Sequence, residues 1–166
     1  MPHFDEVVSY KQKLKQALLK NQRVVNLLCN VGNNVQEFED FTLGSKSPAA
    51  DLIKTHFYIP GTMETDTNFI SMRSLIVHTD TNAIKQIGLT VYVICNTDQI
   101  GLLQGSRSDL IADEVDRVLN DGFNPLFGLG EITVGLAEEL SFATGYTGWQ
   151  IPYTVHVFNR EAKRLG

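Results

Sequence analysis

The sequence predicts an α+β fold, a mainly antiparallel sheet of four strands or slightly more with helices packed on one face. Three observations predict it. Apolar residues recur at intervals of three and four near the N-terminus and again around residues 107–120, the pattern of helices with one buried face. Two pairs of segments, one central and one C-terminal, alternate apolar and polar residues with period two. Helical segments separate the pairs and not the strands within them, which favours hairpins over parallel crossovers.

From Asp5 the sequence EVVSYKQKLKQALLKN sets Val7, Tyr10, Leu14 and Leu18 on one helical face with lysines between them. QRVVNLLCN keeps that spacing through Val24, Leu27 and Leu28 and predicts a second short helix, although the β-branched pair Val24–Val25 weakens it. Residues 30–46, rich in Asn and Gly, predict an irregular excursion with one short strand around Phe38 to Leu43. Ser47, Pro48 and AADLIKTH carry the start signals of a short helix: a serine cap, proline at the first position and an early acid. Pro60-Gly61 marks a turn.

The central pair is Phe69 to Thr79 and Lys85 to Cys95, joined by a connection of hairpin length. In its second strand Ile87, Leu89, Val91, Val93 and Cys95 share one face while Tyr92 and Ile94 take the other, so both faces of the sheet should be at least partly covered. SRSDLIADEVDRVLND forms a third helix, stopped by Asp121-Gly122. GEITVGLAEELSFA and WQIPYTVHVFN form the last hairpin, with Ile151, Tyr153, Val155 and Val157 on one face. No repeat or low-complexity linker divides the 166 residues, which form one domain.

The composition, 43% hydrophobic and 20% charged, is that of a globular chain able to bury a core. Cys29 and Cys95 lie in apolar settings and suit small buried hydrophobes in a reducing compartment. The N-terminus lacks the apolar stretch of a signal peptide, and no apolar run reaches the ~18 residues that span a bilayer. A cytosolic protein with no membrane partner is expected. The formal charge of -5 conceals an asymmetry: residues 1–25 sum to +3, the last seven to +2, and the body between them to -10. That acidic body argues against a surface that grips nucleic acid, because such affinity comes mostly from phosphate neutralisation.

Chemistry-bearing patterns are weak. The third helix sets Asp109, Asp113, Asp116, Arg117 and Asn120 on the arc opposite Leu110, Ile111, Val115, Val118 and Leu119, so its acids read as a solvated back with an Asp113–Arg117 pair one turn apart. Asp109, Asp113 and Asp116 could hold a hard cation only if another element supplied oxygens. Glu114 projects between Leu110 and Val118 on the apolar side, where it would snorkel or meet a partner such as Arg73 or a neighbouring subunit. His3, His56, His78 and His156 each stand alone, without metal-ligand spacing. Neither cysteine has an adjacent base, and GFNPLFGLGE lacks the lysine of a phosphate-binding loop. No catalytic, cofactor or metal residue is assigned. Tyr146, Trp149 and Tyr153 lack basic neighbours and read as packing or interface aromatics.

As an ordered set, HFYIPGTMETDTNFISMRS, a hairpin ending VYVICN, GSRSDLIADEVDRVLND and a last hairpin GLGEITVGLAEELSF to GYTGWQIPYTVHVFN resemble the neck and tail-completion proteins of long-tailed phages. Within that group the chain resembles most the tail terminators of siphophages and of prophages in Gram-positive bacteria, from about residue 52 to residue 160. The resemblance implies a homo-oligomer, usually a hexameric ring, that caps the tail tube, stops its polymerisation and joins tail to head. It implies a tail-tube protein and a head-side connector as partners, DNA sliding through the channel without specific binding, no cofactor, and assembly in the host cytoplasm before residence in the virion neck. An acidic body suits such a channel. A ring contact joins two different patches of each subunit. The hairpin edges, loops 59–68 and 96–106, and Tyr58, Ile59, Pro60, Met63, Glu114, Tyr146 and Trp149 are candidates for the subunit or partner interface. The alternatives are a head-closure or head-to-tail joining connector and, from another class, a small metal-dependent hydrolase using Asp109, Asp113 and Asp116.

Overall fold

A computed structural model describes residues 4–58, 67–77, 84–120, 132–143 and 145–158. Three α-helices, α1 (Phe4–Leu19), α2 (Gln22–Cys29) and α3 (Arg107–Asn120), lie with a six-stranded mixed sheet. The strands in chain order are β1 (Ile53–Lys54), β2 (Phe69–Val77), β3 (Ile84–Asn96), a separate two-residue ribbon β4 (Gly101–Leu102) and β5 (Gly105–Ser106), then β6 (Thr133–Val134), β7 (Glu138–Ala143) and β8 (Tyr146–Phe158). The main sheet runs β1-β2-β3-β8, and β6 and β7 both pair with the far side of β8. The α+β class and the helix-covered face agree with the sequence. The mainly antiparallel sheet agrees too, with six strands where four or slightly more are expected, and one pairing departs from it: β1 adds in parallel to β2, through Ile53 opposite Ile70 and Lys54 opposite Ser71.

The core lies between the helices and one face of the sheet. Val7, Leu14 and Leu18 of α1, Val24, Leu27 and Leu28 of α2, and Ile111, Val115 and Leu119 of α3 pack on Ile70, Met72, Ile87, Leu89, Val91, Val93, Ile151, Tyr153 and Val155. Each fully buried aliphatic side chain contributes about 1.5–3 kcal/mol relative to exposure. Antiparallel pairing of β3 with β8 extends from Ile84 opposite Phe158 to Asn96 opposite Tyr146. At Gly148 a Cβ would overlap the Val93 carbonyl oxygen, so only glycine permits this approach of the two backbones. Gly145, with φ of 86°, supplies the left-handed residue just before β8.

The opposite face carries no helix among the described residues. Its cluster is aromatic: Phe69, Tyr92, Ile94 and Tyr146, with Leu52, Tyr58 and Phe142 against it. Phe57, half exposed, meets Tyr92 edge to face at 5.2 Å.

Three local expectations are corrected. The described residues place no strand at Phe38 to Leu43, because side chains take the backbone groups that a ladder would use. Asn30 Nδ2 donates to the Glu39 carbonyl and Asn30 Oδ1 accepts from the Glu39 N–H, both at 3.0 Å, while Asn26 Oδ1 accepts from the Phe41 N–H and Gln22 Nε2 donates to the Phe41 carbonyl. The segment after Ser47 is a short 3-10 helix, Pro48–Asp51, and the chain then extends into β1. Ser47 does cap it, accepting from the Ala49 N–H at 3.1 Å. The predicted extended segment before Gly145 is broken into β6 and β7 by Gly135–Ala137, where the Gly135 N–H bonds the Pro152 carbonyl.

Candidate functional site

Helix α3 packs on β3 and β8 and carries the acidic cluster that the sequence singles out. The arc read as a solvated back is solvated for the most part, with Asp109, Asp113, Arg117 and Asn120 exposed and Asp116 half-buried, but two of its acids also bond the sheet. Asp109 Oδ1 accepts from the Trp149 indole Nε1 at 2.7 Å, and Asp116 Oδ1 accepts from the Tyr153 hydroxyl at 3.1 Å and from Asn120 Nδ2 at 2.7 Å. Both therefore reach toward β8, which an end-on projection of the helix alone does not reveal. Asp113 does face away, and meets Arg117 Nη2 at 2.8 Å.

Between α3 and the β6–β8 side of the sheet is an open pocket of about 430 Å³. Ala112, Val134, Ala137 and Ile151 line it with Trp149, and Asp109 and Asp116 stand at its polar edge. Tyr153, fully buried at its side, is held above the ordinary phenol range by burial and then by the Asp116 carboxylate, so it remains a neutral donor to that acid. The arrangement can receive an apolar body with a cationic end. It does not gather three carboxylates: among the described residues no group of three or more His, Cys, Asp or Glu could hold a metal ion.

Glu114 is buried, as its position between Leu110 and Val118 suggests, but its partners differ from the expected Arg73. Its Oε1 lies 3.3 Å from Arg23 Nη1 and 3.8 Å from Arg117 Nη1, and Oε2 accepts from Asn21 Nδ2 at 3.2 Å. Asn21 is the cap of α2, accepting from the Val24 N–H. A negative charge at this helix N-terminus is favourable in itself. Arg73 is excluded because strand alternation puts it on the helix-free face, beside Ser71 and Leu75.

The residue that sequence reasoning missed is Arg107. It is wholly buried, with Nη1 donating to the Leu27 carbonyl, Nη2 to the Gly32 carbonyl at 2.8 Å and Nε to the Gln99 carbonyl at 2.9 Å. Phe38 stacks over it, 5.4 Å from ring centroid to guanidinium. One side chain thus fastens the end of α2, the 30–46 excursion and the turn before β4 to the start of α3. The available signal was a cation in the first turn of a helix, where the backbone dipole disfavours it unless another interaction holds it.

The remaining candidates are dispersed. Tyr58 is half-buried, donates its N–H to Ser71 Oγ at 2.8 Å and packs its ring on Phe69, with Lys54 Nζ 5.3 Å from the ring centroid. Tyr146 is buried in the aromatic cluster, and Trp149 is half-buried at the pocket. Ile59, Pro60 and Met63 lie outside the described residues, as does His78. The 96–106 loop contains a short 3-10 turn capped by Asn96, then the β4–β5 ribbon, and docks on the 30–46 excursion through Leu103 N–H to Asn33 carbonyl and Gln104 Oε1 accepting from the Val35 N–H. His156 meets Gln86 at 3.2 Å. Cys95 is sealed in the core, and burial pushes its thiol up to about 12 despite the opposing pull of Arg107, which removes it as a nucleophile.

This is an α+β protein with one helix-covered sheet face, one aromatic face and an acid-edged apolar groove. Its sequence matches the YomW family over residues 21–155, most of the described fold, and the chain belongs to that family. Membership points to a phage-related protein. No curated protein matches the chain significantly. Among the described residues no helix is long and apolar enough to cross a membrane.

Proposed function

We propose that this protein is a structural part of a phage particle, a ring at the head-tail neck that ends tail-tube polymerisation and joins tail to head. The family match carries the phage assignment. The finer place in the particle rests on the ordered segments from about residue 52 to residue 160 that resemble tail terminators.

The fold supports a part buried by its neighbours. β1 covers only Ile70 and Ser71 of β2, so among the described residues no strand pairs with that side of β2 from Met72 to Val77. Leu75, on that edge, is 61% exposed. A long edge strand with an exposed leucine is a surface that assembly would protect. The half-exposed Phe57 on the aromatic face adds a second such place. The hydrolase alternative finds no support in the carboxylates named for it, since Asp109, Asp113 and Asp116 engage Trp149, Arg117 and Tyr153 separately.

Mass photometry over a concentration series, with negative-stain images, tests the reading, together with addition of the protein to isolated tail tubes. The expected result is a closed ring of six with a central hole, or capping of the tubes at one end. A protein that neither closes into rings nor caps tubes overturns it, and one that binds only the portal-side connector identifies a head-closure protein instead.

A further inference from the structure

The acid-edged groove has a complement elsewhere on the same chain. Helix α1 buries Val7, Leu14 and Leu18, but along the flank of that face it carries Phe4, Val8, Lys11 and Lys15. At 100° per residue these four fall within an arc of about 60°. Phe4 and Val8 are 68% and 59% exposed, and the half-buried Lys11 and Lys15 follow them toward the C-terminal end. The stripe is therefore apolar at one end and cationic at the other. The groove is apolar along Ala112, Val134 and Ala137 and anionic at Asp109 and Asp116. Leu136, 75% exposed between the two groove-lining residues Val134 and Ala137, extends its apolar rim.

We infer that the α1 stripe of one copy docks in the α3–β8 groove of a second copy. The inference rests on the ring reading and names the two patches that such a contact would join. Charge decides the occupant: the stripe presents Lys11 and Lys15 and the groove Asp109 and Asp116, so these unlike patches attract, while groove meets groove or stripe meets stripe with repulsion. A contact between two unlike patches is heterologous and propagates from subunit to subunit until rotation closes it, as a ring demands. The apolar end supplies buried area and the lysines fix the direction in which α1 lies.

Sedimentation velocity of the full chain, over a concentration series at low and high salt, tests this with Val8→Asp, Val134→Lys and the double variant. Both sites are exposed, and circular dichroism confirms that each variant folds. Wild-type association is expected to weaken with salt. Each single substitution is expected to weaken it by about tenfold or more, the loss typical of a side chain central to a contact. In the double variant the new aspartate faces the new lysine of the next copy, and association is expected to recover. Rings, or caps on tail tubes where the free chain is monomeric, that form equally well with either single substitution overturn the inference and leave the ring reading standing. A wild-type chain that stays monomeric at every concentration, and also fails to cap tail tubes, overturns both.

Discussion

Arg107 and Glu114 stand seven residues apart on one helix, both buried and both ionic, yet they are held in opposite ways. Arg107 has three backbone carbonyls and an aromatic ring; Glu114 has two arginines and an amide. Carbonyl dipoles can satisfy a guanidinium because its donors point in a fixed fork, and here the fork reaches three separate segments. A carboxylate attracts cationic side chains, and those near Glu114 come from the partly exposed rim, Arg23 at 46% and Arg117 at 63% side-chain exposure. The difference teaches that the first charge organises backbone that has no regular structure of its own, while the second joins two helices already formed. Removing the first should loosen the 30–46 excursion; removing the second should leave every element in place.

The largest effect is therefore expected at Arg107. Arg107→Met keeps the volume roughly but strands three carbonyls, each costing about 1–3 kcal/mol if it finds no new partner, so a loss of about 3 kcal/mol or more is expected in chemical denaturation. Arg107→Lys, with one ammonium in place of a planar fork, should recover only part of that loss. Hydrogen exchange should show faster exchange across 30–46 in both. A methionine variant within about 0.5 kcal/mol of wild type would mean that the carbonyls are as well served by water and that the comparison is wrong.

Next in size is the alkaline behaviour of Cys95, which reports how dry the surroundings of Arg107 are. Burial raises this thiol from its ordinary 9.0 to about 12. Above about pH 9 the unfolded chain gives up the proton while the folded chain retains it, so the unfolded state binds fewer protons and stability falls as pH rises. The slope from this group reaches about 1.4 kcal/mol per pH unit between pH 9 and pH 12. Tyr153, also raised by burial, adds a fall of the same sign above pH 10. Cys95→Ala should make the fall between pH 9 and pH 10 less steep, leaving the smaller part that comes from Cys29, whose thiol burial also raises, and from the onset of Tyr153. An unchanged slope there would show that the thiolate is accommodated beside Arg107.

Glu114→Gln is a smaller perturbation. The neutral side chain can still accept from Asn21 but loses the attraction of Arg23 and Arg117, and a cost of about 1–2 kcal/mol is expected, with α2 still helical by circular dichroism. Loss of α2 signal would show that Glu114, like Arg107, organises backbone.

The same contrast explains what the sequence made legible. Period-two alternation along Ile87 to Cys95 and Ile151 to Val155 exposed the sheet, because one residue of slippage would turn every apolar side chain outward. Helix spacing placed Val115 and Leu119 inward for the same kind of reason. Arg107 was invisible because its acceptors are the carbonyls of Leu27, Gly32 and Gln99, and a carbonyl carries no residue identity. β1 was missed because its two residues make too short a run to show a period, and its parallel pairing depends on where the chain returns. Glu114 was legible as an anomaly, an acid on an apolar arc, while its partners Asn21 and Arg23 lie about ninety residues away and follow no local spacing. Asp109 is exposed and Asp116 half-buried, but their bonds to Trp149 and Tyr153 were not legible, because a helical projection says which residues share a side and nothing about which strand lies within reach.

The smallest expected effect is the control for the whole comparison. Asp113 pairs with Arg117 at 2.8 Å, the shortest ion-pair distance on α3 among the described residues, yet both side chains are more than half exposed. Water competes for both groups and salt screens them, so such a pair one helical turn apart contributes about 0.3–0.5 kcal/mol. Asp113→Asn should cost no more than that, and the cost should vanish in 1 M salt, where the Debye length is about 3 Å. Arg117, released from Asp113, remains within reach of Glu114 at 3.8 Å, which reduces the loss further. A double-mutant cycle of Asp113→Asn with Glu114→Gln separates the two. Coupling near zero makes the buried acid independent of its exposed neighbour; coupling above about 1 kcal/mol makes Arg117 a shared partner whose position on the rim, and not burial alone, sets the strength of the Glu114 cluster.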